Sequence, residues 1–162
     1  MTHIFGRSRF FVFFGFLVLL VASCKEQTPD HWKKQTLLKY DFAVDVLAPD
    51  SSDYKVIDYG IAKDLSITAD GYALTILKMP ATTDQVANVL SEKKKYAKQN
   101  RFFSKIIEEG DDYFIFEKKI DSLKSYDFRK VKIVGNQEYT FQRSLMGTFS
   151  EEEVRMLLTA VE

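Results

Sequence analysis

The sequence predicts an α+β domain, a mostly antiparallel sheet of five to six strands packed with an internal helix and a C-terminal helix. Three observations predict it. Apolar residues alternate at period two in several segments, and two pairs of these are joined by the turn dipeptides Asp70-Gly71 and Gly135-Asn136. After Pro80, and again after Ser150, the apolar spacing changes to steps of three and four, the signature of a helix face. Strands are grouped before and after the internal helix instead of alternating with helices, which is the α+β order.

Taken in order, Tyr40 to Leu47 reads as a first strand, with Phe42, Val44 and Val46 on one side. Pro49 to Asp53 then interrupts it with turn formers. Leu65 and Ile67 before Asp70-Gly71, and Tyr72, Leu74 and Ile76 after it, form a hairpin, because Asp-Gly supplies the positive φ angles of a tight primed turn. Met79-Pro80 stops that strand. Thr82-Thr83-Asp84 offers N-caps to an amphipathic helix whose apolar stripe includes Val86, Val89, Leu90 and Ala97 and whose end is at Asn100. Phe102, Phe103, Ile106 and Ile107 fit either a strand or a bent continuation of the helix. Glu108 to Asp112 turns the chain, Phe114 to Ile120 alternates again, and Tyr126–Val134 and Gln137–Arg143 pair through Gly135-Asn136. Ser150 followed by Glu153 is a capping box for a final helix that presents Val154, Leu157, Leu158 and Val161 on one face.

The first residues carry a different signal. Arg7 and Arg9 make a positive start, and Phe10 to Ala22 is an apolar run of the length of a secretory h-region, shorter than the roughly 20 residues of a spanning helix. It closes on Val21-Ala22-Ser23-Cys24, which contains the only cysteine. This tetrapeptide resembles the lipobox of bacterial lipoproteins: an aliphatic residue, two small ones and cysteine. The resemblance implies that residues 1–23 are a cleaved signal peptide and that Cys24 becomes an acylated N-terminus bound to membrane lipid. Two or three acyl chains then hold stably where one holds weakly. Residues 24–36 would be the lipidated N-terminus and a polar tether, and residues 37–162 a single domain. In Gram-negative lipoproteins an aspartate after the cysteine favours the inner membrane. Lys25 stands there, so for a Gram-negative source the resemblance points to the outer membrane of the cell envelope rather than the inner. The order of elements from Tyr40 onward is similar to the Mog1/PsbP-like fold, whose members run strand, hairpin, helix, meander and C-terminal helix.

Composition narrows the function. Basic and acidic residues number 23 each, and losing Arg7 and Arg9 leaves a slight acidic excess, so there is no electrostatic footprint for nucleic acid. His31 is the only histidine beyond the signal segment and lies in the tether, which leaves a serine or cysteine nucleophile without a base in the domain. No zinc motif, P-loop or dinucleotide fingerprint occurs, and no metal or cofactor is expected. Acids are plentiful: Asp41 and Asp45, Asp50 and Asp53, Glu108-Glu109 with Asp111-Asp112. Two of them could flank a scissile bond, as in a glycosidase. Two classes therefore stand. One is a membrane-tethered binding or assembly module for an envelope protein or peptide, with Tyr126, Tyr139 and Phe149 as contacts or as packing. The other is a carboxylate-dependent envelope hydrolase. The basic run Lys93-Lys94-Lys95 reads as a solvated helix face, with contact to an anionic partner as the alternative.

Overall fold

The computed structural model describes residues 29–144 and 147–161. Cys24 and the signal segment lie outside the described residues. Nine strands and two helices follow in the order β1 (Trp32–Thr36), β2 (Asp45–Pro49), β3 (Asp53–Asp58), β4 (Lys63–Ala69), β5 (Tyr72–Pro80), α1 (Val86–Gln99), β6 (Phe103–Glu109), β7 (Tyr113–Ile120), β8 (Leu123–Val134), β9 (Gln137–Arg143) and α2 (Glu151–Thr159). Seven strands form one antiparallel sheet in the order β3-β4-β5-β9-β8-β7-β6, and β1 pairs with β2 as a separate ribbon. The α+β class stands, with more strands than the five to six expected.

The two faces of the sheet bury different things. Strand alternation sends Ile115 to one face and Phe114 and Phe116 to the other, so β7 is covered on both sides. On the first face the β1–β2 ribbon and α2 cover a core of Leu65, Ile67, Tyr72, Leu74, Ile76, Ile115, Phe128, Tyr139 and Phe141. On the second, Val89, Leu90 and Ala97 of α1 pack on Phe114, Phe116 and Val131. The capping box of α2 is formed: Glu153 N donates to Ser150 Oγ at 3.2 Å, and Ser150 N donates to Glu153 Oε2 at 2.7 Å. Val154, Leu157 and Val161 are buried as the stripe predicts, while Leu158 is only half-buried.

Several expectations are corrected. The tether does not reach residue 36, because Trp32–Thr36 is a strand whose register runs from Trp32 opposite Pro49 to Thr36 opposite Asp45. Trp32 is 9% exposed and meets Tyr72 edge-on at 4.8 Å between ring centroids. The first strand begins at Asp45 rather than Tyr40: Leu38–Tyr40 is a 3-10 turn and Asp41 takes a left-handed φ of 69°. Phe42 and Val44 are buried all the same, in a loop tied by Phe42 N to Leu37 O and Leu37 N to Val44 O. The helix α1 starts from Gln85 without a side-chain cap; Thr83 Oγ accepts from Gln85 N instead, in the turn before it. Asn100 is its C-cap, as expected. Phe103–Glu109 resolves to a strand, interrupted by register shifts between Phe103 and Lys105 and between Ile106 and Glu108.

Candidate functional site: a cationic recess beneath α1

The internal helix packs Val89, Leu90 and Ala97 on Phe114, Phe116 and Val131, and beside its C-terminal half the packing is incomplete. The space left is an open recess of about 180 Å³. Its floor is the buried ring of Phe116, and Tyr96 and Asn100 of α1 form its rim. Phe116 and Asp127 are direct partners across the β7–β8 ladder, which places both side chains on the α1 face. Lys118 and Arg129 follow two residues along on the same face and also line the recess.

Asp127 is the hub. Its side chain is 4% exposed and meets Arg129 Nη1 at 2.9 Å, Lys118 Nζ at 3.2 Å and Arg143 Nε at 3.7 Å. Its Oδ1 also accepts from Phe128 N at 2.9 Å. On the other side of the recess Lys93 Nζ lies 2.7 Å from Glu138 Oε1, which also accepts from Thr140 Oγ1. Four cations, Lys93, Lys118, Arg129 and Arg143, thus share two buried carboxylates. Arg129 and Lys118 also stand over the Phe116 ring, 5.3 and 6.0 Å from its centroid.

The titration behaviour follows from burial first and from the crowding of cations second. Loss of solvent pushes the Lys118 ammonium below its ordinary value, and the attraction of Asp127 opposes that push without cancelling it. Burial likewise lowers Arg143, whose Nη1 donates to the carbonyls of Ser144 and Gly147. Arg143 Nε is buried without a hydrogen-bond partner. A further anionic oxygen in the recess would meet cations already desolvated and held in place, which is where charge-assisted hydrogen bonds are strongest.

The acids that sequence reading offered as catalytic pairs are not brought together; most are occupied by cations. Asp41 is held down to about 2 by hydrogen bonds from Lys78 and then Lys63. Asp45 pairs with Lys34, Asp50 with Lys33, Glu109 with Lys94 and Asp112 with Lys130. Glu108 accepts from Tyr113 and from Arg155 of α2. Of the aromatic candidates, Tyr139 is packing: it is 1% exposed and its hydroxyl accepts from Ala43 N. Phe149 is half-buried, with the Arg143 guanidinium 4.6 Å from its centroid, and Tyr126 is half-buried too. His31 stands edge-on to Trp32, remote in sequence from every recess residue.

Sequence reading missed this site. Lys93 appeared only within the run Lys93-Lys94-Lys95, read as a solvated face with an anionic partner as the alternative, and Lys118, Asp127, Arg129 and Arg143 are dispersed over three strands that become neighbours through the topology alone. The one available signal was an acid and two bases at alternate positions of strands with otherwise apolar faces.

No family model, no curated protein and no solved structure matches the chain. Among the described residues, no helix is long and apolar enough to cross a membrane and no group of three His, Cys, Asp or Glu is placed to hold a metal ion.

Proposed function

We propose that this chain is a lipid-anchored protein of the bacterial cell envelope, held by acylated Cys24, whose domain is a non-catalytic module that binds an anionic group of an envelope component in the recess under α1. The observation that carries the reading is the excess of desolvated cations around Asp127. Keeping such charges out of water is costly unless an anion meets them. A phosphate or carboxylate would satisfy Lys118 and Arg129 directly, and the Phe116 floor and Tyr96 rim would accept an attached apolar or sugar moiety. Hydrolysis by two carboxylates fits the site less well. Asp127 and Glu138 are the acids present, and each is already occupied by lysine or arginine rather than poised to protonate a leaving group.

Two experiments test the two halves. Full-length chain in detergent, titrated with inorganic phosphate and separately with acetate, should show saturable binding of one of them. Arg129→Gln should weaken that binding about tenfold, or ~1.4 kcal/mol. Absence of saturation by both anions into the millimolar range would refute the recess as a site. For the anchor, Cys24→Ser should abolish lipid labelling and release the protein from membranes; a serine variant that still labels would refute it.

A further inference from the structure

The sheet face under α1 is covered over only part of its width. The sheet residues that pack with α1 are Phe114, Phe116 and Val131, with Phe103, Ile106 and Ile133 at the margin, and all belong to β6, β7 and β8. The ribbon and α2 pack on the opposite face. Among the described residues, no apolar cluster covers β9, β5 and β4 on the α1 side.

Strand register fixes what that open part presents. Residues directly opposite one another across a ladder share a face. Ser66 stands opposite Thr75, and Thr75 opposite Gln142. One step beyond Lys130 opposite Phe141, Gln142 comes level with Arg129, which lines the recess. All of these lie on the α1 face, because their neighbours along the strands, Leu65 and Ile67, Leu74 and Ile76, Phe141 and Phe128, belong to the other core. A row of three neutral polar side chains therefore leads away from the recess, and from Arg129 to Ser66 it crosses three strand spacings, about 14 Å.

Among the described residues, the side chains of Ser66, Thr75 and Gln142 make no hydrogen bond. Thr75 is only 8% exposed, so a side chain more than nine-tenths buried carries a hydroxyl without a partner in the middle of the row. Hydroxyl and amide groups both donate and accept, which matches a ligand made largely of hydroxyls. The surroundings argue against two other classes. Lys55, opposite Ser66, extends the row onto β3, but Asp53 and Asp64 stand on the same face beside it. The far end has no cationic excess, and a polyanion charged at every unit would meet acids there. A peptide gains most from an unpaired strand edge, whereas β4, β5 and β9 are each paired on both sides and offer side chains only.

We infer that the recess is one end of a longer site whose ligand is an oligosaccharide charged at one end: its acid group meets Lys118 and Arg129, and the neutral sugars that follow cross β9, β5 and β4 on Gln142, Thr75 and Ser66. This rests on the reading of the recess as an anion site and adds the class of molecule that carries the anion. The Phe116 floor and Tyr96 rim then flank the acidic sugar, and the open sheet face receives the rest of the chain.

The test uses full-length chain in a detergent without sugar headgroups, titrated with two matched sets: glucuronate against glucuronate linked to xylobiose, and glucose 6-phosphate against maltotriose phosphorylated on its terminal glucose. In the set whose acid fits the recess, the trisaccharide should bind about tenfold tighter than the single acidic sugar. Amide chemical shifts at Ser66, Thr75 and Gln142 should move with the trisaccharide and not with the single sugar. Thr75→Val, which keeps the shape of the side chain and removes the hydroxyl, should abolish most of that advantage. Equal affinity of trisaccharide and single acidic sugar in both sets would overturn the inference and leave the anion site standing. Failure of every acid to bind, inorganic phosphate and acetate included, would overturn both. Equally tight binding of uncharged xylobiose or maltotriose, or tighter binding of polyphosphate, would overturn the inference. The shift measurement on the unaltered chain decides even if Thr75→Val does not fold.

Discussion

Replacing Leu157 with alanine should unfold the domain at a markedly lower denaturant concentration, and the size of the loss can be worked from its surroundings. Leu157 is 2% exposed, on the face of α2 that packs with Val154, Ala160 and Val161 on the sheet. Alanine removes three carbon atoms, each worth ~0.8 kcal/mol of transfer free energy, or about 2.4 kcal/mol together. The cavity left between helix and sheet adds to this, giving an expected cost of about 3 kcal/mol within the range of 2 to 5 seen for buried leucines. For a domain of this size that corresponds to ~10 °C in midpoint temperature. Leu158→Ala is the internal control: its side chain is half-buried, so the same substitution should cost about 1 kcal/mol. The assay is equilibrium urea unfolding followed by circular dichroism and by fluorescence of Trp32, the only tryptophan, which belongs to the same core. If Leu157→Ala costs no more than Leu158→Ala, or less than about 0.5 kcal/mol, α2 is not packed as described.

Three further outcomes are expected. Trp32→Ala should cost about 3 to 5 kcal/mol in the same unfolding assay, because a buried indole is lost, whereas a tryptophan in a loose tether would cost almost nothing. Asp127→Ala should both destabilise the fold, by about 3 to 5 kcal/mol, and raise the pH sensitivity of stability, since it leaves Lys118, Arg129 and Arg143 without their shared carboxylate; urea unfolding across pH measures both. Glu108, held below the usual carboxylate range by Tyr113 and then Arg155, contributes stability that is complete above the ordinary glutamate value of about 4.3 and is lost as pH falls through its lower folded value. The stability gap between wild type and Glu108→Gln should therefore be constant from neutral pH to about pH 5 and close on further acidification, and it should narrow in high salt because the pair is partly exposed. The same hydrogen bond pushes the Tyr113 phenol up to about 12, which ultraviolet titration reads directly.

What was legible in the sequence is what local chemistry alone determines. Asp70-Gly71 and Gly135-Asn136 specify their turns whatever surrounds them, and Ser150 with Glu153 specifies the start of α2. The elements that escaped notice, β1 and β3, are the sequences Trp-Lys-Lys-Gln-Thr and Asp-Tyr-Lys-Val-Ile-Asp, both with charges where a half-buried strand would carry apolar residues. Each has one strand neighbour and an open side, so pairing to β2 or β4 supplies what periodicity does not. The recess was illegible for a related reason. Its charges sit at inward-facing positions of β7, β8 and β9, where one sequence cannot tell a buried cation from a solvated one until the strand order is known.

The burial of Trp32 also shortens the leash. Between Cys24 and Trp32 the chain can span at most about 27 Å at ~3.4 Å per residue. That is shorter than the longest strand, the twelve residues of β8, which at ~3.3 Å each run about 40 Å. Trp32 packs on Tyr72, on the face covered by the ribbon and α2, whereas the recess lies on the α1 face. With Cys24 acylated as proposed, the tether would join the domain on one face of the sheet and the recess would open on the other.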